Sequence, residues 1–170
     1  MALVSNTELI IGKVCALLDR CAARDVWDVA HLPNALADAL VGERFRWLLV
    51  VLLGTLAHPP EAYSEARLAA RITLREVEIQ LKPMLVSGLV VESERLVRSA
   101  WARIAQLLEA TDVERAYFDA LSRGEIDLGP LFVDDPAEAE RLSRHPALFW
   151  KAHNARSFHA RGGVTGDEVG

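Results

Sequence analysis

The chain has 170 residues, about one domain, which is enough to bury a real core. Half of its residues are hydrophobic (51%) and a quarter are charged (25%), a balance that fits a soluble globular protein rather than a disordered or membrane-embedded one. The formal charge of −5 argues against a general nucleic-acid surface, which rests on clustered Lys and Arg, but leaves room for a local basic pocket.

The N-terminus "MALVSNTE" has no charged region followed by an apolar one, so no secretory signal is read there. Ser5 to Glu8 match a capping box, with Ser5 as N-cap and Glu8 reaching back. Behind it Ile10, Val14, Leu17 and Cys21 form a helical apolar stripe. Cys15 and Cys21 are six apart, so on one helix they sit roughly 9 Å apart along the axis, too far for an unstrained disulfide. Buried thiols in a reducing cytoplasm are the expectation.

The stretch "GKVCALLDRCAARDVWDV", residues 12 to 29, places five charges in a segment that otherwise reads as an apolar helix. At about 100° per residue on an ideal helix, Lys13, Arg20 and Arg24 fall within a few tens of degrees of one another. A Lys and two Arg on one line suit the phosphates of a nucleotide. Asp25 and Asp28 share a face if the helix continues, where one carboxylate can act as a general base or hold an acceptor. The same residues also compose an ordinary solvated helix surface, with Asp19 beside Arg20 and Arg24 paired to Asp28 at i, i+4. Spacing alone leaves both readings open.

His31 to Pro33 mark a boundary, because the residue before proline is pushed out of the helical region. A short helix is expected from Asn34 to Val41, stopped by Gly42. The most apolar run, Trp47 to Ala57, has eleven residues, too few for a hydrocarbon core that needs roughly 20. It reads as part of a core helix from Glu43 to about Ala57. The segment "SEARLAARITLREVEIQLKPMLVSGLVVESE" has the outline of a helix-turn-helix with a wing. However, Glu76 and Glu78 stand against Arg75 and Lys82 on the helix that would read DNA, and carboxylates repel phosphates. A helix pair in the core is therefore expected.

From Ser93 to Glu109 another helix is read, with Leu96, Val97, Trp101, Ile104 and Leu108 on its apolar side. Thr111 as N-cap, Glu114 at N3 and Gly124 as terminator delimit the next one. Pro136 and Pro146 each suit a first helical position. The tail from residue 158 has no apolar pattern and is expected to be mobile, leaving residues 1–157 as a single helical domain. The fold class is all-α, a multi-helix bundle. The five histidines show no H-x3-H or HExxH spacing, and no Walker loop, G-x-S-x-G or GxGxxG occurs, so no metal ligands are assigned.

The segment "GKVCALLDRCAARDVWDVAHL" resembles the K-(x)6-R-(x)3-R-D-x-(Y/F/W)-D segment of the AbiEii/AbiGii toxin family of nucleotidyltransferases. "ERAYFDALSRGEIDLGPLFVDD" and "HPALFWKAHNAR" resemble that family's C-terminal stretch. The resemblance spans residues 6 to 157, the middle agreeing in helical character. It implies a toxin of a bacterial toxin–antitoxin or phage-defence system, similar to polymerase β-type enzymes. It implies a metal-bound nucleoside triphosphate with Mg2+, and a nucleotide acceptor such as tRNA. Carried over by position, Lys13 contacts triphosphate, Arg24 braces the site, and Asp25 or Asp28 supplies the carboxylate that activates the acceptor. His145, Trp150 and Lys151 are expected to be structural, with Trp150 anchored in the core. The family places its metal-binding carboxylates in an N-terminal α/β domain with an Asp-x-Asp pair, and no Asp-x-Asp occurs here. The expectation is therefore the helical C-terminal half of such an enzyme, inactive alone. A non-catalytic helical module that binds an antitoxin or another protein is the alternative. In that reading an exposed apolar patch around Ile10, Val14 and Leu17 mediates docking or self-association.

Overall fold

A computed structural model describes residues 6–33 and 42–161. Ser5 of the expected first cap and the expected helix from Asn34 to Val41 lie outside the described residues. The described chain is all-α, without strands, and holds nine α-helical segments among the described residues. None of these helices is long and apolar enough to cross a membrane. The sequence reading takes residues 1–157 as one domain; packing divides the chain into two compact units, Met1–Glu109 and Ala110–Gly170.

In the first unit, α1 (Asn6–Arg20) buries Ile10, Ile11, Val14, Leu17 and Leu18. Ile10, Val14 and Leu17 are at most 1% exposed, so the docking patch expected there is core instead. The chain then turns a corner. Cys21 adopts φ +52, a left-handed conformation that costs a non-glycine residue about 1 kcal/mol, and α2 (Ala23–Ala30) starts in a new direction. The corner corrects the expectation of one ideal helix through residues 12 to 29. Ala22, the N-cap of α2, has no oxygen to offer, so the Ala23 N–H donates to Gln80 Oε1 at 3.2 Å.

Helix α3 (Glu43–Leu53) follows Gly42 and packs on α1 through Phe45, Leu49, Val50, Val51 and Leu53. It ends four residues before the expected Ala57, where Gly54 takes the cap. Its Arg46 donates to the carbonyls of Leu107 (2.7 Å) and Glu109 (2.6 Å). Those carbonyls lie in and just beyond the 3-10 turn Ala105–Leu108 that follows α6 (Ser93–Ile104). Helix α4 (Glu65–Arg71) is capped by Ser64 and α5 (Leu74–Glu76) by Thr73, each hydroxyl accepting a backbone N–H at 3.2 Å. One turn of π-helix, Val77–Leu81, continues α5. Leu68, Ile72, Val77 and Leu81 bury one side of this helix pair, as a core pair requires. Helix α2 packs against α1, α6 and the π turn, while α4 packs against α6.

The second unit pairs α7 (Asp112–Ser122) with α9 (Pro146–Ala160), with α8 (Pro136–Ser143) between them in sequence. Thr111 and Glu114 form the expected capping box. At the other end of α7, Gly124 has φ +87. Its N–H reaches Leu121 O at 2.9 Å and the Glu125 N–H reaches Ala120 O at 3.0 Å, the two bonds of a Schellman stop. Asp135 caps α8 and His145 caps α9, both ahead of a first-turn proline. Helix α9 runs through Ala160 and so takes in the first three residues of the expected tail. Trp150 is 69% exposed, so it is no core anchor. Leu148 and Ala152 take that role, and the neighbouring Lys151 is the half-buried one, its ammonium pKa lowered by that burial.

Candidate functional site

The corner at Cys21 brings α1 and α2 together so that charges far apart in sequence meet. Lys13 Nζ on α1 pairs with Asp28 Oδ2 on α2, fifteen residues later. Arg20 Nη2, at the last residue of α1, donates to Asp25 Oδ1 at 2.8 Å. Neither pair follows the i, i+4 pattern of a solvated helix surface; both tie one helix to the other. Four of the five candidate residues are thus assembled in two cross-links. Arg24, in the first turn of α2, is exposed and has no ion-pair partner among the described residues.

The two pairs differ in burial, and burial decides what each can do. The Lys13 and Asp28 side chains are 39% and 37% exposed, so solvent or a ligand reaches both. The Asp25 side chain is 4% exposed and its Oδ2 is buried without a hydrogen-bond partner among the described residues. A carboxylate shut away like this fixes structure and cannot meet an acceptor in this conformation. Asp28 is the carboxylate with access. An anion that draws Lys13 away would leave Asp28 free to accept a proton from a hydroxyl.

Sequence reasoning missed several neighbours. Gln80 on the π turn accepts from Ala23 and donates its amide to Glu76, so it holds the start of α2. The bulge that aims it there leaves no spacing signal in sequence. The arginines Arg67 and Arg71 act on the Cys21 thiol, whose pKa burial raises while these cations pull it down. Arg67 also lies 5.3 Å over the Tyr63 ring. On the far side of the motif, Trp27 stacks on His31 at 3.7 Å, and His31 Nδ1 lies 2.9 Å from Trp27 O.

Both cysteines are free. Burial, with Asp19 nearby, pushes the Cys15 thiol up to about 12. Cys15 should therefore react with iodoacetamide far more slowly at pH 8 than an unperturbed thiol, the thiolate being the nucleophile. Its neutral form supports folding below the ordinary thiol pKa near 9, and that support is lost as pH rises toward about 12. Alkylation of Cys15 at the rate of the unfolded chain would contradict this.

No group of three or more His, Cys, Asp or Glu side chains among the described residues is placed to hold a metal. Asp25 is paired with Arg20 and Asp28 with Lys13. In comparison with known proteins, no family model, no curated protein and no solved structure matches the chain.

Proposed function

We propose that this chain is the helical part of a nucleotidyltransferase toxin of the AbiEii type, of bacterial toxin–antitoxin or phage-defence systems. The observation that supports it is the corner that gathers four of the motif residues, Lys13, Arg20, Asp25 and Asp28, across two helices. In this reading Lys13 and Arg24 meet the triphosphate of a nucleotide. As the phosphates draw Lys13 off, Asp28 takes the proton of the acceptor hydroxyl, tRNA being one such acceptor. Arg20 and Asp25 hold α1 and α2 at the angle this exchange needs. The metal-binding carboxylates belong to a separate nucleotidyltransferase core.

The test supplies a Gly-rich, Asp-x-Asp nucleotidyltransferase domain in trans, demonstrates a complex, and follows label from a nucleoside triphosphate into RNA. Lys13→Ala and Asp28→Ala should each lower transfer by about 100-fold or more while circular dichroism stays unchanged. A demonstrated complex that transfers nothing would sink the proposal, as would variants that transfer normally.

A second reading, a non-catalytic interaction module, is favoured by a different observation. Six of the large hydrophobic side chains exposed in the described chain fall between Leu74 and Val90. Under this reading the Lys13 and Asp28 variants leave partner binding unchanged.

A further inference from the structure

Between the 3-10 turn Lys82–Met84 and α6 the chain makes a tight turn closed by Leu89 N–H to Val86 O at 3.3 Å, with Gly88 at φ +91. The backbone at both ends is extended: Leu85 has φ −100, ψ 159 and Glu92 has φ −91, ψ 117. Along the second arm Val91 is 8% exposed, whereas Val90 before it is 84% exposed. That in–out alternation is the habit of a strand lying on a core. Yet the N–H groups of Val90, Val91 and Glu92 have no hydrogen-bond partner among the described residues. In an extended arm successive N–H groups point to opposite edges, so those of Val90 and Glu92 share one edge, and a free edge is a template for strand pairing.

The side chains around it are mostly apolar, and most of them are exposed. Leu74, Leu85, Val86, Leu89, Val90 and Val91 line one hollow of about 480 Å³. Leu89, Val90 and Val91 also wall a second of about 500 Å³, shared with Trp27, His31 and Arg95. Leu74, Ile79, Met84, Val86, Leu89 and Val90 are 49–85% exposed. Four of these, Leu74, Val86, Leu89 and Val90, line the first hollow together, and with ordinary side-chain areas they present roughly 450 Å², the size of the largest and often functional patch on a monomer.

We propose that this face is a self-association surface, on which a second copy of the chain pairs its 89–92 arm antiparallel to the first about a two-fold axis. An antiparallel arrangement makes any strand its own partner, and a two-fold interface uses the same patch twice. Charge permits it: between Leu74 and Ser99 four acidic residues face four basic ones, so the patch is neutral in a chain of −5 and two copies do not repel there. The pairing satisfies the free backbone groups on one edge of the arm and brings the exposed Val90 of each copy to the interface. The inference does not depend on the nucleotidyltransferase reading.

Sedimentation velocity of the full chain over a wide concentration range, with hydrogen exchange at low and high concentration, tests it. The expected result is a monomer–dimer equilibrium in which the amides of Val90 and Glu92, on one edge of the arm, gain protection as dimer forms while Val91 changes less. Val90→Lys should remove the dimer and leave the helical circular dichroism intact, because Val90 has little folded-state contact to lose. A chain that stays monomeric throughout overturns the proposal. So does a dimer that survives Val90→Lys, or one in which the Val90 and Glu92 amides exchange freely.

Discussion

Replacing Gly124 with alanine should destabilise the Ala110–Gly170 unit by about 2–4 kcal/mol, since two penalties fall on one atom. The first is conformational: at φ +87 an L side chain is strained. The second is steric. A Cβ there would stand 2.8 Å from Ala152 O and 3.2 Å from Arg156 N, both backbone of α9. Arg156 Cγ would be closer still at 2.4 Å, and the Arg156 guanidinium donates to Gly124 O. The side chain can swing aside, at the loss of that bond; the helix backbone cannot without parting α7 from α9. Two other glycines separate the contributions. Gly88 has φ +91 with nothing within 4 Å, so Gly88→Ala reports the conformational cost alone, about 1 kcal/mol. Gly129 has no positive φ and meets only Asp127 Oδ1 at 3.3 Å, so Gly129→Ala should change little. Denaturant unfolding of the three variants gives the ranking. If Gly124→Ala falls within about 0.5 kcal/mol of the parent, α7 and α9 do not pack at this point.

Much of the fold is legible in local sequence wherever one residue type solves a terminal problem. Thr111 and Glu114, Gly124, Pro136 and Pro146 mark helix ends because each satisfies or removes an orphan backbone group, and they mark them correctly. Apolar periodicity likewise identifies α1 and α6, and a continuous apolar run identifies α3. What fails are inferences that need direction. Cys21 carries no turn signature, yet its left-handed φ breaks the ideal helix on which Lys13, Arg20 and Arg24 were aligned. The ion pairs therefore differ from those that spacing suggests: Arg20 meets Asp25 and Lys13 meets Asp28, while Arg24 stays exposed. Trp150 shows the same limit. Its size favours a core anchor, but its place on α9 turns it outward, and the smaller Leu148 and Ala152 face in. The exposed apolar side chains likewise run from Leu74 at the start of α5 to Val90 and do not follow a single helical stripe.

The contrast between the two cross-links gives the second large effect. Arg20→Ala should cost about 2 kcal/mol or more, because it leaves a buried carboxylate with neither oxygen paired. The value stays below that of a fully buried pair since the Arg20 side chain is 54% exposed and water screens it. Combining Arg20→Ala with Asp25→Asn removes the stranded charge, so the double variant should recover part of the loss. Lys13→Ala, by comparison, breaks a pair whose two side chains both reach solvent, and should cost less than about 1 kcal/mol. Equal losses at Arg20 and Lys13, measured by chemical unfolding, would contradict this division. The asymmetry also bears on chemistry. A pair that costs little to open can exchange partners with a ligand, whereas one that seals a buried charge can only hold the helices in place. Under the proposed function Lys13 and Asp28 are the pair that exchanges with a ligand, and Arg20 and Asp25 the pair that keeps α1 and α2 in place.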